Sequence, residues 1–327
     1  MPHGSQVKSH TLSATHSLAL RTAMLLLALM LPLVSAAERS DNIIPFTSPH
    51  RFMIVVAVLV DGRGPFRFLF DTGATSSAVD PKLSASLHLP PARSVKLASW
   101  ENTTDAQRVL VDSLSLGPIN SGPLAVLVQP LTEFKAFDPD LRGILGQDVL
   151  LSSNFLIDNR RHRIQFDNDA VLLQQLTGDR IAIAPVRTRA GDLEPRLISV
   201  SVCAQGRTDP LHLLLDSGAD MVVLQPVFAP QPTVPRGTKW MADQNGRTSS
   251  ATTFTTRLSV GSEVFSAEAW IGDTGLQHIV IDGLLPTGSF SQLYVGNQGS
   301  FVIFEPRRRP HKVSQSSEIA ASSSRYP

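Results

Sequence analysis

The sequence has 327 residues, with 29 Lys and Arg against 28 Asp and Glu, which gives a formal net charge of +1 at pH 7. Hydrophobic residues make up 42% and charged residues 17%, so the chain can bury a core and is not a disordered tail protein. The near balance of charge excludes the clustered basic face of a nucleic-acid-binding protein. The single cysteine, Cys203, excludes an intramolecular disulfide and a cysteine-based metal cluster, and its place in a predicted strand indicates a buried, inert thiol.

The N-terminal 36 residues have the pattern of a secretory signal peptide. Lys8 and Arg21 precede an apolar stretch over residues 23–33, and small residues at 34–36 then offer a cleavage site. The stretch is shorter than the roughly 20 apolar residues that cross a bilayer. We therefore expect cleavage, a periplasmic or secreted protein, and no stable membrane anchor afterwards.

Short β-type runs occur twice in the chain, in the same order. Residues 56–62 and residues 200–206 are β-type runs that end in a Gly turn. Residues 66–70 and 211–215 are nearly continuous apolar runs, which is typical of strands buried on both faces. Each half closes with a predicted hairpin, at 155–157 with 163–166 and at 293–295 with 301–304. Helical periodicity is weak apart from a short helix near 172–176, so the sequence predicts an all-β fold with an internal duplication.

The second apolar run of each half leads directly into the same short pattern. The first copy is Asp71, Thr72, Gly73 and Ala74, and the second, 145 positions later, is Asp216, Ser217, Gly218 and Ala219. Residues 143–146 and 283–286 are a further matching pair, each a Gly followed by two apolar residues. A third Asp-Thr-Gly at residues 273–275 has no apolar strand before it, and we interpret it as an ordinary turn.

An acid at the end of a buried strand is costly unless its charge is neutralised or hydrogen-bonded. The Gly in each pattern lets the backbone turn sharply and point amide N–H groups at the carboxylate. If two such turns meet, their carboxylates share one proton and can hold a water between them. One oxygen then takes a proton from the attacking water and the other acid protonates the carbonyl oxygen, which is amide hydrolysis without a metal, a cofactor or a covalent intermediate.

These motifs resemble those of the aspartic peptidases, the bilobed pepsin family and more closely its retropepsin-like bacterial relatives, over roughly residues 50–306. The resemblance implies an acid protease fold of two homologous β-barrel lobes related by a pseudo-twofold axis. It implies that Asp71 and Asp216 form the catalytic dyad, that Thr72 and Ser217 brace the lobes, and that residues 144–146 pack beneath the first acid. The substrate would be a peptide or protein, bound by a monomer without cofactor or metal.

The resemblance also divides the chain. The predicted segments are a signal peptide at 1–36, an N-terminal lobe at 37–167, a connection at 168–196, a C-terminal lobe at 197–306 and a disordered tail at 307–327. Flap hairpins are expected near 97–108 and 239–250, the second with a turn at Asn245-Gly246.

Three departures from the pepsin pattern bear on activity. Neither predicted flap contains a Tyr, so Trp100 or Trp240 would contact substrate in its place, or would simply pack a hairpin. Pro286 stands where the first half has Gly146, which predicts a differently shaped turn. Ala74 and Ala219 cannot donate the side-chain hydrogen bond that many pepsin-type enzymes have, so the pKa of the dyad should be higher and the pH optimum mildly acidic to near-neutral.

Two other interpretations remain open. The chain could be a catalytically inactive binding or scaffold protein that keeps a pepsin-like shell. Alternatively, the active unit could form between two chains rather than within one.

Overall fold

The computed structural model describes residues 41–98, 103–228, 235–242, 248–272 and 278–306. The predicted signal peptide, the C-terminal tail, the third Asp-Thr-Gly, Asn245-Gly246 and Trp100 lie outside these ranges. The described chain is mostly β-strand with few helices, which confirms the all-β class.

The described residues form strands that are mostly short. They are β1 (Ile43–Pro45), β2 (Val55–Val60), β3 (Arg63–Phe70), β4 (Ala78–Val79), β5 (Pro91–Ala98), β6 (Thr103–Val111), β7 (Leu114–Leu116), β8 (Ile119–Asn120), β9 (Leu124–Val128), β10 (Leu141–Leu145), β11 (Phe155–Asp158), β12 (Arg163–Gln165), β13 (Arg180–Ala182), β14 (Arg187–Thr188), β15 (Ser199–Ala204), β16 (Leu211–Asp216), β17 (Val222–Leu224), β18 (Pro235–Ala242), β19 (Thr248–Val260), β20 (Glu263–Ile271), β21 (Ile279–Val280), β22 (Gly283–Pro286), β23 (Phe290–Gly296) and β24 (Phe301–Pro306).

The helices are short. They are α1 (Pro81–Leu87), α2 (Thr132–Lys135), α3 (Gln147–Leu150) and α4 (Asp169–Leu173), with 3₁₀ turns at Pro226–Phe228 and Thr287–Ser289. The helix expected near 172–176 begins earlier, because the side chain of Asn168 caps its N-terminus by accepting the N–H of Val171. Within the described part of the chain, no helix has the length and apolar character needed to cross a membrane.

A nine-stranded sheet, called here the first sheet, carries Asp71. Its strand order is β5-β6-β9-β4-β10-β3-β2-β7-β8. At its centre, β3 runs parallel to β10 and antiparallel to β2, and β4 pairs with the far edge of β10. The last residue of β3, Phe70, is fully buried, so the chain reaches Asp71 from the interior of the sheet.

A seven-stranded sheet, called the second sheet, carries Asp216. Its order is β15-β16-β22-β17-β20-β19-β18, and an additional pairing of β15 with β19 closes it on itself. β16 runs parallel to β22 and antiparallel to β15, and β17 pairs antiparallel with β22 and parallel with β20. In the first sheet, β4 pairs in the same two ways with β10 and β9. Each acid therefore lies at the end of a strand that has the same kinds of neighbour.

A third, six-stranded sheet joins the two halves of the chain, and we call it the shared sheet. Its order is β1-β12-β11-β23-β24-β13, with β11 antiparallel to β23 and Phe155 opposite Val295. Both predicted hairpins, β11–β12 and β23–β24, lie in it and are confirmed. Because one sheet contains strands from both halves, it fixes the relative position of the first and second sheets.

The position of Cys203 differs from the expectation. In β15 the side chains alternate, with Val202 and Ala204 buried and Ser201 and Cys203 exposed. The prediction of a buried thiol was wrong because the strand has one covered face, and the period-2 alternation places the thiol on the other.

Candidate active site

Asp71 is placed by the end of a buried parallel strand pair. Phe70 lies opposite Leu145 in the β3–β10 register, and the next residue, Asp71, donates its N–H to the carbonyl of Leu145 at 3.0 Å. The Asp71 side chain is nearly buried, with 8% of the residue exposed. The apolar run that precedes the acid thus carries it into a site with little solvent.

Asp216 is placed in the same way in the second sheet. It is the last residue of β16, and its register partner in the parallel strand β22 is Pro286. Asp216 is partly exposed, whereas the residue after it, Ser217, is fully buried.

Both acids accept backbone N–H groups from their own turns. Oδ1 of Asp71 accepts the N–H groups of Gly73 at 2.9 Å and of Ala74 at 3.2 Å. Oδ1 of Asp216 accepts those of Gly218 at 2.7 Å and of Ala219 at 3.1 Å. The residues at the Ala positions therefore contribute main-chain donors even though their side chains have none.

The two acid turns lie against each other. The carboxyl of each acid lies against the glycine of the opposite turn. A Cβ added to Gly73 would lie 2.7 Å from Cγ of Asp216, and one added to Gly218 would lie 2.8 Å from Oδ2 of Asp71. Each acid therefore packs against the glycine of the other turn, and a larger residue at that position would displace the acid.

Thr72 and Ser217 tie the turns together through reciprocal hydrogen bonds. The Thr72 N–H donates to Oγ of Ser217 at 2.9 Å, and the Ser217 N–H donates to Oγ1 of Thr72 at 3.1 Å. Their hydroxyls donate to the carbonyls of Leu215 at 2.8 Å and Phe70 at 2.6 Å, respectively. Both residues are fully buried. These four bonds fix the spacing of the two acids.

The surroundings raise the pKa of both carboxyls. Burial and the adjacent Asp216 carboxylate raise the pKa of Asp71 well above its ordinary value, against the opposing effect of the Gly73 and Ala74 amides. Burial also raises the pKa of Asp216, while the amides of Gly218 and Ala219 oppose the rise. Two carboxylates this close cannot easily both be ionised, so the pair holds a proton to higher pH than a free Asp would.

The turn at Pro286 differs from that at Gly146, as expected, and the structure shows how the difference is accommodated. The Gly146 N–H donates to Oγ of Ser77 at 3.0 Å, and that hydroxyl donates to Asp148 at 2.6 Å. In the second half, Pro286 has no N–H to donate. Val222 occupies the position that corresponds to Ser77 and is buried, so the missing N–H of Pro286 leaves no hydroxyl without its donor there.

Two arginines that the sequence reasoning missed contact the loops after the acids. Arg51 lies 3.8 Å from Asp220 and 2.9 Å from Glu268, and so reaches from the first half to the second. Arg196, which precedes the second acid, donates to the carbonyl of Thr75, in the loop after the first acid, at 3.3 Å. Each arginine stands twenty positions before an acid, a spacing that the repeat comparison could have found.

The predicted flap regions lie in two antiparallel hairpins, β5–β6 and β18–β19. Trp240 lies in β18 opposite Ser250. Whether Trp100 or Trp240 contacts substrate stays a prediction. Beside the second acid turn, a cavity of about 510 Å³ is lined by residues that include Asp220, Met221 and Glu268.

Residues 56–149 match the family model described as aspartyl protease. The match runs from β2 into α3 and includes Asp71 and Gly146, and it supports a protease-like hydrolase domain of the retropepsin-like type. No curated protein matches the chain.

Proposed function

We propose that the protein is an exported aspartic endopeptidase that hydrolyses peptide bonds with a water activated between Asp71 and Asp216. The observation that carries this proposal is the close approach of two acids 145 positions apart, each against the glycine of the other turn and each held by two backbone amides of its own turn. A purely structural buried pair of like charges would be costly, whereas an acid and a base that must reach one water need this arrangement.

We assign the shared proton to Asp71 and the base to Asp216. The Gly218 amide lies closer to its carboxylate than the Gly73 amide does, at 2.7 Å against 2.9 Å, which favours the charged form of Asp216. Asp216 is also the more exposed of the two.

The reaction then follows from these two protonation states. The water oxygen attacks the peptide carbonyl carbon while Asp216 takes a proton from the water. At the same time, Asp71 gives its proton to the carbonyl oxygen. The resulting diol breaks when Asp216 protonates the amide nitrogen, the C–N bond cleaves and a diol hydroxyl returns a proton to Asp71. Both acids end in their starting states, and no bond to the protein forms.

The substrate site would be a cleft between two lobes, residues 37–167 and 197–306, connected by 168–196. The repeated strand pairings around each acid support two homologous lobes with a pseudo-twofold relation. An extended peptide would lie across the dyad and pair with the backbone of the β5–β6 and β18–β19 hairpins. The signal-like residues 1–36 support export to the periplasm or medium, where we expect a monomer.

The proposal is tested by incubating the chain from residue 37 with a mixed peptide library and identifying cleaved bonds by mass spectrometry. We expect cleavage by the wild type, and losses of about 10²–10⁴-fold or more in Asp71→Asn and Asp216→Asn. Asp209→Asn makes the same chemical change at an exposed site and should keep full activity. A well-folded wild type that binds peptides without cleaving them would instead support the inactive binding protein.

A further inference from the structure

Gln147, the first residue of α3, lies directly beneath the first acid turn and is fully buried. Its main-chain N–H donates to the carbonyl of Ala74 at 2.8 Å. Its side-chain Nε2 donates to the carbonyl of Thr72 at 3.0 Å. One residue therefore holds the turn on both sides of Gly73.

The side-chain bond acts on the peptide unit that also binds the acid. The carbonyl of Thr72 and the N–H of Gly73 belong to one rigid plane, so fixing one end fixes the other. The Gly73 N–H is the closer of the two amides that donate to Asp71. Because glycine tolerates many backbone conformations, a plane next to it rotates easily unless something holds it. Gln147 supplies that restraint.

Among the described residues, no side chain restrains the second acid turn in this way. Thr287 follows Pro286 as Gln147 follows Gly146, but its buried hydroxyl has no hydrogen-bond partner among the described residues. The Oε1 atom of Gln147 is likewise unpartnered within the described chain, so this amide acts on the turn only as a donor. The difference between the two halves provides a matched pair of positions for an experiment.

We propose that Gln147 is a positioning residue of the active site: by holding the Thr72–Gly73 peptide plane, it keeps the Gly73 N–H on the Asp71 carboxyl and fixes the geometry of the acid pair. This inference rests on the proposed peptidase function. It concerns a fully buried residue that acts through the turn.

The first test compares Gln147→Met, which keeps the shape but loses the donor, with Thr287→Val. We expect Gln147→Met to lower kcat by about 10- to 100-fold, since small displacements of catalytic groups have effects of this size, with KM unchanged. Thr287→Val removes an unpaired hydroxyl and should keep the wild-type kcat. Equal kcat in all three proteins would overturn the proposal.

Gln147→Glu separates positioning from packing. When ionised, this side chain can only accept, so it cannot bond the Thr72 carbonyl; when protonated, it can donate as Gln does. The kcat of Gln147→Glu relative to wild type should therefore rise as the pH falls. A Gln147→Glu variant that keeps the wild-type kcat at a pH where its new carboxyl is ionised would show that the residue only fills space.

A readout that needs no activity keeps this inference distinct from the proposed function. With ¹³C-labelled Asp carboxyls, assigned through the two Asn variants, the titration of the acid pair is followed by NMR. Loss of the Gly73 donor should move the Asp71 titration to higher pH in Gln147→Met and not in Thr287→Val. Unchanged titration in a folded Gln147→Met would refute the inference even if the wild type cleaves peptides. If Gln147→Met fails to fold, Gln147→Glu is titrated in its place.

Discussion

Oδ2 of Asp71 lies 2.8 Å from the position that a Cβ on Gly218 would occupy, and Asp216 is equally close to Gly73. The two turns therefore interlock: the missing side chain of each glycine is the space that the opposite acid fills. The glycine two positions after each acid is therefore needed for two reasons: it allows the sharp turn, and it leaves space for the opposite acid.

Gly218→Ala should strongly impair the acid pair, because the methyl group would displace Asp71. We expect kcat to fall by about 100-fold or more, since the reacting groups must shift to relieve the contact. Gly122→Ala is the control, because its added Cβ has open space and only a positive φ of 64°. It should cost about 1 kcal/mol of stability or somewhat more while leaving kcat unchanged. Equal kcat in Gly218→Ala and Gly122→Ala would contradict the interlocking of the turns.

The reciprocal bonds of Thr72 and Ser217 should appear as a thermodynamic coupling. Ser217→Ala and Thr72→Val each leave buried donors or acceptors unpaired and should lower the free energy of unfolding by about 1–3 kcal/mol. The double variant should lose less than the sum of the two, by about 0.5–3 kcal/mol, as measured by urea unfolding. Thr72→Ser keeps the hydroxyl and serves as the control. Strict additivity would mean that the two residues do not share these bonds.

The raised pKa of the acid pair should make the wild type lose stability with rising pH. Between the ordinary pKa of Asp and the raised pKa of the folded protein, Asp71 is protonated in the folded chain and ionised in the unfolded chain. Its contribution to the free energy of unfolding therefore falls as the pH rises through this interval. Asp71→Asn removes this titration. Its free energy of unfolding relative to wild type should therefore increase from acid to neutral pH. A difference that is independent of pH would contradict the raised pKa.

The pH dependence of cleavage should have its maximum at mildly acidic to near-neutral pH. Ala74 and Ala219 donate only their main-chain N–H groups to the acids. Their side chains have no hydroxyl that could add a further hydrogen bond to either carboxylate. Ala219→Ser offers such a donor and should shift the acid limb of the kcat/KM profile to lower pH. A wild-type maximum at about pH 2–3 would refute this account of the dyad.

Sequence reasoning located the two acids, their turns and the strands that lead to them, because apolar runs and Asp-hydroxyl-Gly patterns are local signals. It did not find Gln147, whose role depends on a contact with Thr72 that only the folded chain brings about. It interpreted Pro286 as a departure that bears on activity. It did not pair Pro286 with Val222, which replaces the hydroxyl of Ser77 and is 64 positions away in sequence. Cys203 was misplaced since a strand in isolation does not show which of its faces is covered.

The most direct test of the central claim is the rate of peptide cleavage by Asp71→Asn, Asp216→Asn and the double variant. If the two acids act as one unit on one water, each single substitution should remove nearly all the activity, about 10²–10⁴-fold or more, and the double variant should be no slower than the slower single variant. Wild-type rates in either single variant, or losses that multiply in the double variant, would contradict a shared catalytic pair.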